Sequence, residues 1–359
     1  MKDTKEVKVS DEAKRKDKLA YLQTIGSRAS RDLNSEELIK IAEQILELDS
    51  DNAQAHFWLG FACHRLRKDK VIIENHYRNA IICNPKMSYA YSNFAMLIMY
   101  DANRQVEAKN YLLKAIQYNQ NNADAYKMLG DIKSNDGSSL NDVEECYRMA
   151  IFLKPSFSEA HSGLGNALLR YEFRTKEAKA SLEKAIELDP NNVHAYECLA
   201  YLYEHQEKDV VKTEQYLRKI NNLKPNDAAF HLQLGLILHK QNRFYEAIEF
   251  CQKAAMLNER IFLPLLVLGS IYRIMGYDDE SKKYLMLAEI VIKKYGFEKT
   301  EGEIYNLACL NSLLGNKKEA LKYLKSAIEA SSTFKETAKN DPDFDFVKNT
   351  PQFKKITET

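Results

Sequence analysis

Two columns of small residues recur along this chain at a nearly fixed interval, and that period limits the fold more than any local motif. The pairs Ile25-Gly26, Leu59-Gly60, Phe94-Ala95, Leu129-Gly130, Leu164-Gly165, Leu199-Ala200, Leu234-Gly235, Leu268-Gly269 and Leu307-Ala308 follow one another at steps of about 35 residues, the last step being a little longer. A second column, Ala80, Ala115, Ala150, Ala185, Ile220, Ala254, Ala288 and Ala327, keeps the same register. Pro85, Pro155, Pro190 and Pro225 each close a unit. A period of this size means stacked modules, each too small to bury its own apolar face and each completing that burial against its neighbours.

Within a unit the spacing is helical. From Ser158, the residues Ala160, His161, Leu164, Gly165, Ala167 and Leu168 recur at i, i+3 and i+4; after a turn near Arg174-Thr175 the same spacing returns at Ala178, Leu182, Ala185 and Leu188. Each unit is therefore expected to be two antiparallel helices whose backbones approach closely at the small residues. The Pro stops the second helix, and Asn121-Asn122, Asn191-Asn192 and Asn226-Asp227 supply caps for the next unit. Only 12 Gly and 7 Pro in 359 residues leave too few turns for an all-β fold. With 45% apolar and 29% charged residues the chain is neither disordered nor collagen-like, and a net charge of +1 gives no global pull toward nucleic acid.

The six cysteines, Cys63, Cys83, Cys146, Cys198, Cys251 and Cys309, form no Cys-x-x-Cys and are expected to be reduced, buried thiols. The segment from Met1 to Lys18 mixes Lys with Asp and Glu and contains no apolar core of a signal peptide. No run of about 20 apolar residues suggests a membrane span. The expected location is the cytoplasm.

The pattern resembles the tetratricopeptide repeat, whose signature joins an aromatic, Leu-Gly, a second aromatic, Ala and a closing Pro. In the unit from Val193 it reads Tyr196, Leu199-Ala200, Tyr203, Leu217, Ile220 and Pro225; in the unit from Ala123 it reads Tyr126, Leu129-Gly130, Tyr147, Ala150 and Pro155. The resemblance covers residues 19–334, with units starting near residues 19, 53, 88, 123, 158, 193, 228, 262 and 301. It implies an all-α fold, an α-solenoid wound as a right-handed superhelix of about nine helix-turn-helix units. The first unit is degenerate, as a terminal cap would be. The unit from residue 262 runs long through Val291, Ile292 and Tyr295, so its second helix is expected to be extended. Residues 1–18 are expected to form a charged, flexible lead-in, and residues 335–359 a C-terminal cap over the apolar face of the last unit. Asp341, Asp343 and Asp345 have the spacing of a calcium loop, but Phe346 stands where that loop needs Gly and Gln352 where it needs Glu.

No catalytic arrangement is written in the sequence. There is no phosphate loop, no nucleophile elbow and no H-E-x-x-H; Gly163-Leu164-Gly165 belongs to the repeat. His56, His161 and His231 fall in the aromatic packing slot of their units. Glu144-Glu145 and Asp278-Asp279-Glu280 lie at helix starts, where the dipole favours negative charge. Neither catalytic residues, metal nor cofactor is expected.

The resemblance also implies that the first helix of each unit lines a concave face through its second, fifth, ninth, twelfth and thirteenth positions. The candidate binding residues are then Phe57, Phe61 and His64, followed by Met96, Met99 and Tyr100, then Lys127, Asn166, Arg170 and Tyr201, then Leu232 and Leu236. The groove reads apolar, polar, apolar. The cation-rich carboxylate clamp of chaperone-binding members is absent, with Lys127, Asp131, Gly163, His194 and Cys198 in its places, and so is the Asn ladder of the glycosyltransferase type. The expected function is a non-enzymatic scaffold or adaptor that docks a peptide segment of a protein partner, with no nucleic acid and no membrane span. Two alternatives stay open: a self-assembling homo-oligomeric solenoid, and a subunit supporting an enzyme encoded elsewhere.

Overall fold

The computed structural model describes residues 3–32, 34–170 and 172–358, and these form two compact bodies that divide between Ala195 and Tyr196. The first body contains the hairpins α1 (Asp3–Arg31) and α2 (Ser35–Leu48), α3 (Ala53–Arg65) and α4 (Lys70–Cys83), α5 (Ser88–Ile98) and α6 (Gln105–Tyr118), α7 (Ala123–Asn135) and α8 (Leu140–Leu153), and α9 (Ser158–Leu168) and α10 (Thr175–Leu188). The second follows from α11 (Val193–His205) with α12 (Val210–Leu223), α13 (Ala228–Lys240) with α14 (Phe244–Leu257), α15 (Leu263–Ile274) with α16 (Asp278–Tyr295), and α17 (Glu301–Leu313) with α18 (Lys317–Ala330). It ends in α19 (Phe334–Asn340), a 3-10 turn at Pro342–Phe344 and α20 (Pro351–Glu358). No strand occurs among the described residues, and the fold is an all-α solenoid. The charged stretch before residue 19 is helical from Asp3 onward and continues into α1; residues 1 and 2 lie outside the described residues.

Local chemistry sets the helix ends. Asn52 and Asn122 accept hydrogen bonds from the backbone N–H groups of Ala55 and Ala125 at 3.1 Å, each satisfying one orphan donor. Asp227 does the same for Ala229 at 2.9 Å. The closing prolines lie just beyond their helices, and their carbonyls are used. The Pro85 oxygen accepts from the Tyr91 hydroxyl at 3.1 Å, and those of Pro155 and Pro225 lie 3.0 and 2.9 Å from Nε2 of His161 and His231. The histidines of the aromatic slot thus tie each hairpin to the turn before it.

The small residues do not chiefly meet a facing backbone, as the sequence suggested; the nearest neighbour is a large side chain. A Cβ placed on Gly60 would lie 2.7 Å from the Tyr77 ring, on Gly130 2.9 Å from Tyr147, on Gly165 2.6 Å from Leu182, and on Gly269 2.6 Å from Leu285. In each case the partner comes half a repeat later, from the second helix of the same hairpin. Extended along the chain this gives a third column, Tyr77, Leu112, Tyr147, Leu182, Leu217, Cys251, Leu285 and Leu324, every member of which is buried. The Ala column beside it has no exposed surface at Ala80, Ala115, Ala150, Ala185, Ala254, Ala288 or Ala327. Knob and hole are read from two points on one hairpin.

Above the basic step lies a second period of two units, written in polar side chains. In the first body the Ser88 hydroxyl donates to the Ala115 carbonyl at 2.8 Å and accepts from Asn122 at 3.0 Å; Ser158 repeats this with Ala185 at 2.9 Å and Asn192 at 2.6 Å. These bonds are buried, so each polar group that left water has a partner. On the outside, Arg104 bridges Glu74 and Glu107, and Arg174 bridges Glu144 and Glu177. In the second body Arg243 bridges Glu214 and Glu246 at 2.6 Å each. Each arginine joins the second helix of one hairpin to that of the next.

This packing makes two testable demands. Gly165→Leu should lower stability by about 1 to 3 kcal/mol through overpacking, and Gly165→Ala combined with Leu182→Ala should cost less than the sum of the two single losses, because the added methyl then finds space. Denaturant titration of the variants measures this, and strict additivity would show that the two residues do not meet. The Arg174 guanidinium, with Arg148 beside it, draws the Glu144 carboxyl down to about 2. Its folded pKa lies below the unfolded value, so its stabilisation is complete above about pH 4.5 and disappears as the pH falls toward 2. Glu144→Gln should flatten the acid-unfolding curve of the first body within that window.

Candidate functional site

The first helices of the hairpins in the first body present two adjoining clefts. The larger, about 400 Å3, lies between Phe61 of α3, Tyr89, Ser92, Asn93 and Met96 of α5, Asp124, Lys127 and Met128 of α7, and Phe157 and Glu159 at the start of α9. The second, about 330 Å3, is bordered by Tyr100, by Lys127, Asp131, Ser134 and Asn135 of α7, by Tyr147, by Glu159, Ser162, Gly163 and Asn166 of α9, and by Asn192 and His194. Lys127 and Glu159 border both, so the clefts form one path across successive hairpins.

Packing fixes the polar groups along this path. Lys127 donates to Asp131 Oδ2 at 2.8 Å, one helical turn away, and Asp131 Oδ1 accepts from the Tyr147 hydroxyl at 2.8 Å. Tyr147 reaches the cleft because Gly163 leaves room for it: a Cβ there would lie 2.5 Å from its ring. Burial, reinforced by the Asp131 charge, pushes the phenol well above its usual pKa, so it remains a neutral donor. Arg170 Nη2 donates to the Ser134 carbonyl at 2.7 Å, joining α9 to α7. Around this polar centre stand apolar surfaces open to water: Tyr100 is 84% exposed, Tyr89 55% and Met96 38%. Aromatic and Met faces alternating with amide, hydroxyl and carboxylate groups can hold an extended chain by both its side chains and its backbone.

Of the residues singled out from the sequence, Phe61, Met96, Tyr100, Lys127 and Asn166 line these clefts, and Arg170 braces their wall. Phe57 is half-buried instead, with its ring 6.1 Å from Phe61 and 6.3 Å from Tyr77. His64 is half-buried, and desolvation lowers its pKa. Met99 is buried in the core with Phe94 and Ile98, so it faces inward. In the second body Tyr201 is exposed and stacks on His205 at 4.3 Å, Leu236 is half-buried, and Leu232 is buried in the core. Met99 and Leu232 hold wheel positions expected to be open but are 5% and 8% exposed, so neither offers a surface to a partner. Missed residues include Tyr89, Asp124 and Glu159, each the second residue of its unit. That position is one of the five that the resemblance assigns to the concave face, which is the signal that points to them.

The cysteines are all free, and five are buried. Desolvation pushes the Cys251 thiol up to about 12, which leaves it unreactive at neutral pH. In the second body Cys309, Asp341 and Asp343 place a sulfur and two carboxylates within 4.8 Å of one another. The carboxylates are already held by hydroxyls of Tyr305 and Ser270, and burial raises the thiol far above its usual range. The cluster is thus a hydrogen-bonded junction between the tail and α15 and α17. Asp345, the third residue of the calcium-like spacing, faces Lys348 at 3.8 Å.

Stacked helix hairpins with an open polar and aromatic path on their first helices define a repeat solenoid. The chain is a tetratricopeptide repeat protein: family profiles of that description match residues 159–192, 181–215, 228–260, 265–289 and 304–334. Among curated proteins, the human Protein O-mannosyl-transferase TMTC3 is 25% identical over 234 residues, covering 54% of this chain and 25% of its own length. The Peroxisomal targeting signal receptor of Saccharomyces cerevisiae is 24% identical over 263 residues, covering 62% of this chain and 42% of its own. The chain thus spans a quarter to less than half the length of these relatives. Among solved structures, Pseudomonas aeruginosa pilF aligns with a TM-score of 0.50 at 20% identity, over 59% of this chain and 93% of that one. A human IFIT1 dimer with m7Gppp-AAAA aligns with a TM-score of 0.50 at 17% identity, over 72% and 68%. These likenesses concern the fold. No helix among the described residues is long and apolar enough to cross a membrane.

Proposed function

We propose that this chain is a docking scaffold that holds an extended segment of a partner protein along the clefts of α3, α5, α7 and α9. The observation that carries this reading is the run of Phe61, Met96 and Tyr100 beside the fixed Lys127–Asp131–Tyr147 centre, a surface whose polar groups are held in pairs suited to recognition. Large apolar side chains left open beside satisfied polar groups are what an interface anchor requires. The yeast relative is by name a receptor for a targeting signal, a role of the same kind. The buried, inert thiols fit a reducing setting, and the cytoplasm is the proposed location.

The likeness to TMTC3 favours a second reading, in which the repeat array supports a transferase activity carried by other residues. In that case the same clefts orient a protein substrate or hold the catalytic partner.

A photo-crosslinking amino acid at Tyr100 should capture the partner, and the same group at Phe152, exposed on α8 away from the clefts, should not. Phe61→Ala with Tyr100→Ala should weaken capture at least about tenfold, the loss of a modest pair of anchors, with helicity unchanged. Equal crosslinking at the two positions, or capture indifferent to the double substitution, would place the partner elsewhere.

A further inference from the structure

The C-terminal segment does more than cover the end of the last hairpin. Residues 341–346 lie against α15 and α17 and touch Ser270, Arg273, Tyr305 and Cys309. These are the ninth and twelfth residues of the unit from 262 and the fifth and ninth of the unit from 301, positions equivalent to those that line the open clefts of the first body. Asp341 Oδ2 accepts from the Tyr305 hydroxyl at 2.8 Å and lies 3.8 Å from Cys309 Sγ; Asp343 Oδ1 accepts from the Ser270 hydroxyl at 2.5 Å, a partner far away in the chain. The Arg273 guanidinium lies over the Phe346 ring at 4.0 Å. Phe344 and Val347 have no exposed surface, and the Asp341 side chain also caps the turn by accepting from the Asp343 N–H at 2.9 Å. The tail therefore occupies this face as a bound turn would, through two acids and an aromatic ring.

We propose that the segment Asp341–Phe346 is a proton-gated closure of the first-helix face of α15 and α17, seated while the half-buried, closely spaced Asp341–Asp343 pair carries one negative charge and released as it takes on a second. The two carboxylates lie within 4.8 Å of each other and are half-buried, so they cannot both ionise cheaply, because each loses part of its hydration and repels the other. The surrounding groups compensate one charge. Arg273 of α15 supplies the single full cation, and Ser270, Tyr305 and Cys309 supply only neutral donors. His239 of α13, which faces Asp341, is pushed toward its neutral form by desolvation. Asp345, on the segment itself, adds a further repulsion. Burial, with the Asp341 charge next in weight, raises the Asp343 carboxyl to about 7. A folded pKa above the unfolded one gives stabilisation that is complete below the unfolded value and is lost as the pH rises through the folded one, so closure should weaken from about pH 4 to about pH 7.

Hydrogen exchange of the full chain, read by mass spectrometry at pH 5, 6, 7 and 8 and corrected for intrinsic exchange, tests this. In the wild type the opening constant of the segment 338–348 should rise about tenfold per pH unit up to about pH 7 and then level off, while segments of α3 and α4 show no such slope. Asp343→Asn keeps an acceptor for Ser270 but does not titrate, so the slope should vanish. Asp341→Asn removes the neighbouring charge and should move the plateau to lower pH. A flat wild-type profile, or an unchanged slope in Asp343→Asn, overturns the proposal. Should Asp343→Asn not fold, a plateau unmoved by Asp341→Asn overturns it.

Discussion

The structure depends on the meeting of a hydrogen atom and a large side chain. At Gly60, Gly130, Gly165 and Gly269 the first helix offers a site with no Cβ, and a Tyr or Leu of the returning helix fills it. Because the two points stand at a constant offset of half a repeat, this contact fixes the length of each hairpin and the rotation of its helices about their own axes. The aromatic slot, the cap and the closing proline then follow in step. A helix rotated to fill that hole presents its opposite side to solvent or to a partner, so the position of the clefts is decided by a contact in the core. The same logic explains Gly163, which admits the Tyr147 ring and lets a buried phenol reach a surface carboxylate.

Core contacts repeat every unit, whereas the polar contacts repeat every second unit. The Ser–Asn relay occurs at Ser88 and Ser158, and the arginine bridges at Arg104, Arg174 and Arg243. An apolar knob and hole can be copied without regard to the neighbour, since dispersion is indifferent to direction. The polar relay also needs an Asn of the following hairpin to reach the Ser of the one before, so neighbouring modules take complementary roles and the polar unit here is a pair of hairpins. The arginine bridges are partly exposed, and their contribution to stability is correspondingly modest. They serve mainly to join successive second helices, while the buried relay ties the Asn122 and Asn192 turns to the hairpins before them.

The sequence made legible what depends on volume. Gly and Ala columns, proline stops and Asn caps each have a local signature, and the helix starts at Ala53, Ser88, Ala123, Ser158, Val193 and Ala228 are visible in them. It concealed what depends on which of two permitted partners a residue meets. The first-helix Gly was expected to face backbone, since spacing alone does not distinguish a backbone from a side chain arriving from the returning helix. Met99 and Leu232 share the wheel positions of true surface residues, yet both are buried, which position in the repeat alone does not report. The tail was read as an end cap, or as a failed calcium loop, because acids at alternate positions signal a solvated turn; nothing local reports that Asp343 finds Ser270, two hairpins earlier in the chain.

Equivalent positions therefore serve opposite ends in the two bodies. On α7 the fifth and ninth residues, Lys127 and Asp131, neutralise each other and leave the surrounding Tyr100, Asn135 and Asn166 open. On α17 the fifth and ninth residues are Tyr305 and Cys309, which carry no charge and provide donors without a local acceptor; the chain's own acids complete them. A face of neutral donors is well matched by a segment that accepts hydrogen bonds, whereas a face whose polar groups already pair with each other is open to other partners. Covering the donors with two carboxylates within 4.8 Å of each other at a half-buried site means that closing this face carries an electrostatic cost that the open clefts of the first body do not bear.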